Sequence, residues 1–171
     1  MLAATGEHPR TPDGVRSVYL HPGNLMVSNT PCQVETLLGS CVAVGVWDSE
    51  TGVGGMNHFL LPTIAGAAVA SPKFGNVAME RLLARVIAAG GRPHALKARI
   101  FGGASVLQAL RGISGQLGRS NVDLARKLLL DAGIRVVSSD VEGERGRKVT
   151  FRTHDGAMTV RMLTGERHVS L

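Results

Sequence analysis

A thiol and an imidazole, two groups that together can cleave an amide, stand 17 positions apart at Cys41 and His58. Both lie in the stretch ETLLGSCVAVGVWDSETGVGGMNHFLLP at residues 35–62. A thiol is a weak nucleophile until it ionises; a neighbouring imidazolium lowers its pKa, and the same base can then return a proton to the departing amine. The surrounding pattern predicts a hairpin. Residues 41–47 and 53–61 are short apolar runs, and residues 48–52 supply turn formers between them. A turn centred near Glu50 sets Cys41 opposite His58, with Cβ atoms about 4.5–5.5 Å apart, whereas a one-residue slip would send the two to opposite faces. The Gly39-Ser40 step ahead of the thiol predicts a tight backbone turn whose N–H groups gather as an oxyanion hole. The same two side chains also suit the packed interior of a strand, where cysteine and histidine serve without chemistry.

LGSCVAV at 38–44, followed by MNHFLLP at 56–62, resembles the chemoreceptor glutamine deamidase family, CheD. IFGGA at 100–104, Asn121, Asp140 and GRKVTF at 146–151 stand where that family places similar segments, so the resemblance spans residues 17–163. It implies hydrolysis of the side-chain amide of particular glutamines on bacterial chemoreceptors to give glutamate. Cys41 would be the nucleophile and His58 the base, with no metal or organic cofactor, and a CheC-type phosphatase of the chemotaxis pathway would be a protein partner. It also implies an α/β layered fold, with two packed sheets of mixed and antiparallel strands flanked by helices, similar in active-site plan to bacterial toxins that deamidate glutamine.

The family uses a threonine six residues before the cysteine; here that position holds Glu35, with Thr36 one place later. If residues 34–41 stay extended, Glu35 shares a face with Cys41 and is the better placed to take the second His58 N–H. A break at Gly39-Ser40 would bring Thr36 in instead. Glu35 in the threonine position also suggests a rival role, an adaptor that binds receptors without catalysis. A second rival is a cysteine-dependent amidase with another substrate.

The elements that must hold these residues fit one domain at residues 17–163, between a leader at 1–16 and a tail at 164–171. Hydrophobic residues at 44% and charged ones at 19% exclude a disordered chain. No apolar run approaches the roughly 18–20 residues that span a bilayer, and the first residues lack the apolar core of a secretory signal, which predicts a cytoplasmic protein without membrane insertion. Two cysteines, Cys32 and Cys41, are too few for a disulfide framework, and with His58 they lack zinc-site spacing. Strands are predicted at 17–20, 24–27, 96–101, 134–137, 148–153 and 157–162, the last two closing over Asp155-Gly156. Met79, Leu82, Leu83, Val86 and Ile87 predict a helix, and residues 63–71 a loop rimming the substrate groove. Residues 104–111 read as a short helix, 112–120 as a flexible connector, and Asn121 as the N-cap of a second helix. No phosphate-type glycine fingerprint follows a strand, and one Trp, one Tyr and four Phe leave little for base stacking, so nucleotide and nucleic-acid roles are disfavoured. The formal charge of +6, with Arg145, Arg147, Lys148 and Arg152 close together, suits a face that steers encounter with acidic receptor helices.

Overall fold

The computed structural model describes residues 9–64, 70–106 and 111–164. Among them run β1 (Arg16–Tyr19), β2 (Asn24–Ser28), β3 (Cys32–Leu38), β4 (Val42–Asp48), β5 (Val53–Phe59), α1 (Gly75–Ala88), β6 (Lys97–Gly102), α2 (Arg111–Asp131), β7 (Arg135–Val141), β8 (Arg147–Arg152) and β9 (Met158–Met162). The strands make two sheets, in the orders β1-β3-β8-β9 and β2-β5-β4-β6-β7.

β4 lies at the centre and is buried along its whole length. Side chains alternate across a strand, and the two faces of β4 serve different cores. Val42, Val44 and Val46 pack with Met79 and Leu82 of α1 and Leu129 of α2, while Ala43 and Trp47 pack with Val34 and Phe151 of the other sheet. The result is three layers, sheet on sheet with both helices on the outer side of the five-stranded sheet. This is the layered α/β architecture expected. Gly45 faces the sheet-on-sheet core, where a Cβ would lie 2.7 Å from the Phe151 ring, so the ring occupies the space a side chain would need.

The chain passes from one sheet to the other after β1, β2, β3 and β7. Pairing of Val42 with both Phe59 and Gly102, of Tyr19 with Glu35, of Asn24 with His58 and of Leu38 with Arg147 brings the crossings after β1, β3 and β7 to one end of the sandwich. At the opposite end of the β4–β5 hairpin, buried Asp48 closes the turn. Its carboxylate accepts from the Glu50 N–H at 3.0 Å and from Arg92 Nε at 2.9 Å, and this partnership holds the acid far below the usual carboxylate range.

Three local expectations change. Residues 112–120 are not a connector but belong to the continuous helix α2, and Asn121 lies inside it rather than at its start. The glycines that weaken the helical signal there serve close packing: a Cβ on Gly118 would sit 2.3 Å from the Gly103 carbonyl oxygen. Residues 104–106 are not helical. The rest of that expected helix up to 110, the middle of the 63–71 loop, residues 1–8 of the leader and residues 165–171 of the tail lie outside the described residues. Residues 9–15 of the leader are tied down, with the Ser17 N–H donating to Pro9 O at 2.7 Å and Thr11 N–H to Val15 O at 2.8 Å.

Asp48→Asn removes the charge that binds Arg92 at the end of the hairpin away from Cys41. It is expected to lower Tm by several degrees in a thermal melt while leaving the reactivity of Cys41 unchanged.

Candidate active site

β5 places His58 at the sheet-on-sheet interface, opposite Ala43 of β4. The hairpin turn is centred between Glu50 and Thr51, because Asp48 pairs with Val53 and the Gly52 N–H donates back to Asp48 O at 2.9 Å. Cys41 is therefore not directly opposite His58. It lies two residues along from Ala43, just beyond the ladder, as a diagonal neighbour of the same parity. Diagonal pairs in a regular ladder have a spacing of about 7–8 Å, within reach of long or aromatic side chains. The expected shared face is kept and the expected direct opposition is not.

The third candidate follows from the change of sheet. In β3 the even-numbered residues Cys32, Val34, Thr36 and Leu38 are buried and the odd-numbered ones point outward. Strand parity would link Glu35 to Cys41 only if the strand continued, but the chain leaves one sheet after Leu38 and enters the other at Val42. Glu35 thus faces outward, its carboxylate 2.8 Å from Lys148 Nζ. Thr36 faces inward, with Oγ1 2.8 Å from His58 Nδ1. The preference for Glu35 as the partner of His58 is corrected in favour of Thr36.

The direction of that hydrogen bond is fixed by a second one. Thr36 Oγ1 lies 2.7 Å from Leu20 O, a carbonyl that can only accept, so the single hydroxyl proton goes to Leu20. Toward His58 the hydroxyl oxygen is then the acceptor, and Nδ1 carries the ring proton. Nε2 is left with its lone pair, buried and without a hydrogen-bond partner among the described residues. This is the tautomer of a proton acceptor.

Electrostatics favours neutral groups. Burial pushes His58 down from 6.5 to about 4 and pushes the Cys41 thiol up. Desolvation works against the thiolate–imidazolium pair expected from the sequence, since it disfavours both charges.

The turn carrying the thiol is held by its carbonyls. Gly39 O accepts from the Ala104 N–H at 2.8 Å, Ser40 O from Asn121 Nδ2 at 3.1 Å, and Cys41 O from the Gly103 N–H at 2.8 Å. Gly102 and Gly103 make this approach possible. Both have positive φ, and a Cβ on Gly102 would lie 2.1 Å from Cys41 O. Asn121 also donates to Leu60 O at 2.9 Å. Sequence reasoning read it as a cap; its buried position beside Gly103 and Gly118 was masked by the glycines of α2.

An open groove of about 390 Å³ runs past Gly39, lined among others by Leu37, Val106, Arg145 and Leu163. The expected basic face is smaller than the sequence suggests. Arg147 is buried, its guanidinium bound to Asp140 and to Glu142 O, while Lys148 pairs with Glu35 and Arg152 with Asp13. Arg147 is a structural residue that anchors the turn whose Glu142 N–H meets Gly102 O at 2.8 Å. Among the described residues no helix is long and apolar enough to cross a membrane.

The profile of a family described as CheD chemotactic sensory transduction matches residues 60–162. Pairwise similarity also takes in the thiol and imidazole. A protein of Anaeromyxobacter dehalogenans (strain 2CP-C) named "Probable chemoreceptor glutamine deamidase CheD 1" is 48% identical over 160 residues, 94% of this chain and 92% of that one. A relative from Trichlorobacter lovleyi with the corresponding CheD name is 43% identical over 144 residues, 84% of this chain and 89% of its own. A solved structure, the Neisseria meningitidis protein NMB0706, superposes at TM-score 0.47 with 13% identity, covering 84% of this chain and 77% of that one.

Thr36→Val should lower kcat by about 10²-fold, the scale of a general base's contribution, with Thr36→Ser recovering most of it. Glu35→Gln removes only an outward ion pair and should leave kcat near wild type. With burial pushing His58 down to about 4, a reaction that needs its imidazole unprotonated should show the acid limb of its pH–rate profile near pH 4 and not near 6.5. The same shift sets stability. The folded state binds the proton less readily than the unfolded one, so this contribution is present above pH 6.5 and lost as pH falls toward about 4. In denaturant titrations His58→Gln should flatten that part of the profile.

Proposed function

Since the chain belongs to the CheD family, we propose that it is a chemoreceptor glutamine deamidase, converting specific receptor glutamines to glutamate with release of ammonia. The observation that carries the reading is the Leu20–Thr36–His58 relay, which leaves Nε2 as a base on the same face as Cys41. In the proposed reaction His58 Nε2 takes the thiol proton as Cys41 Sγ attacks the carboxamide carbon. The tetrahedral oxyanion is held by backbone N–H groups of the Gly39-Ser40-Cys41 turn. The imidazolium so formed gives its proton to the leaving nitrogen, and ammonia departs from a thioester. Water, deprotonated by His58, then attacks the thioester, releasing glutamate and restoring the thiol. The groove beside Gly39 offers an apolar seat for receptor residues flanking the glutamine. No cofactor enters these steps.

The family resemblance extends the proposal to a CheC-type phosphatase as partner and to the cytoplasm as the place of action, a reducing compartment that keeps the thiol free. The adaptor reading drew its support from Glu35 in the threonine position. With the Thr36 hydroxyl on His58 that support is gone.

Incubation of a receptor cytoplasmic fragment with the protein should raise particular glutamine peptides by about 1 Da, the replacement of NH₂ by OH through an acyl-enzyme. Cys41→Ala should abolish the change. Binding of the fragment without any mass change would return the adaptor reading, and hydrolysis of unrelated amides alone would favour a different amidase.

A further inference from the structure

Asn121 is fully buried in the interior of α2, where asparagine is a weak helix former. Its Oδ1 has no hydrogen-bond partner among the described residues, so the side chain is kept at a cost that an apolar residue would avoid. What it does have is two donor bonds, to Ser40 O at 3.1 Å and to Leu60 O at 2.9 Å. One carbonyl immediately precedes the thiol residue; the other lies two residues past His58.

The described chain has no cis peptide bond, and in a trans peptide the carbonyl of one residue and the N–H of the next point in opposite directions. Three consecutive carbonyls, those of Gly39, Ser40 and Cys41, are each bound, the outer two by the Ala104 and Gly103 N–H groups and the middle one by Asn121. The Cys41 N–H, across the peptide from the Ser40 carbonyl, is therefore turned away from Asn121. Two of the three donors are backbone groups of the glycine segment. The middle one is a side chain, Asn121.

We infer that Asn121 is a positioning residue: by binding the Ser40 carbonyl it fixes the Ser40–Cys41 peptide plane so that the Cys41 N–H serves as an oxyanion donor, and by binding the Leu60 carbonyl it ties that plane to the strand bearing His58. The inference deepens the deamidase reading and rests on acyl transfer to Cys41. It does not depend on which amide is the natural substrate.

Two reagents separate this role from a merely structural one. Acylation of Cys41 by p-nitrophenyl acetate passes through an oxyanion; alkylation by iodoacetamide displaces iodide and does not. In Asn121→Ala the acylation rate should drop on the order of 10²-fold, the scale for one oxyanion donor, while alkylation at the same pH changes little. Deamidation should lose kcat with little change in KM. Asp48→Asn, which destabilises the far end of the hairpin, should retain both reactions. If Asn121→Ala does not fold, Asn121→Ser, checked by circular dichroism, takes its place with the same expected split. Equal losses in acylation and alkylation, or an unchanged acylation rate, would overturn the inference. Failure of the deamidase reading would appear separately, as wild-type protein that leaves receptor glutamines unchanged while the acylation comparison still stands.

Discussion

The carbonyl of Leu20 decides which ring nitrogen of His58 carries the proton. It can only accept a hydrogen bond, so it takes the Thr36 hydroxyl proton and obliges that oxygen to accept from Nδ1. The ring proton is thereby placed away from Nε2, and a lone pair is presented at a buried position. A carboxylate in the place of Thr36 would fix the same tautomer, but it would also favour the imidazolium. A hydroxyl orients the ring without adding a charge, which agrees with a histidine whose pKa is pushed down to about 4.

That relay is assembled by the way the chain changes sheets. Leu20 ends the first strand's path, Thr36 lies on the strand beside it, and Cys41 sits where the chain passes from the four-stranded to the five-stranded sheet. At this crossing Gly102 and Gly103, with positive φ, bring the Gly103 and Ala104 N–H groups close enough to bind the Cys41 and Gly39 carbonyls. Buried Arg147 extends the support outward: it anchors the residues 140–142 turn, whose Glu142 N–H in turn binds Gly102 O. The thiol-bearing turn is thus fixed by contacts that run back to β8 of the four-stranded sheet.

This arrangement explains which parts were legible in the sequence. The β4–β5 hairpin and the shared face of Cys41 and His58 follow from apolar runs and turn residues close together in the chain. The exact register did not, because a turn centred one residue further on, between Glu50 and Thr51, moves the partner of His58 from Cys41 to Ala43. The choice between Glu35 and Thr36 was out of reach of strand parity, since parity is lost where the chain leaves one sheet for another. The first half of α2 was hidden by the glycines that let it approach Gly103, and with it the interior position of Asn121. The run of basic residues near 145–152 looked like one face, yet β8 alternates, and its inward positions bury even an arginine.

Desolvation of both groups also bears on when charge is separated. Holding a thiolate beside an imidazolium in this interior would require desolvating both ions before substrate arrives, a cost their mutual attraction recovers only with good geometry and further hydrogen bonds. In the proposed reaction the proton leaves sulfur as the carbon–sulfur bond forms, so the negative charge goes directly to the carbonyl oxygen, where the N–H groups of the turn receive it. Their interaction is strongest with the oxyanion and weak with the planar amide, which is the differential binding that accelerates a reaction. A half-buried cysteine with a raised pKa is, on this view, a nucleophile made conditional on its substrate.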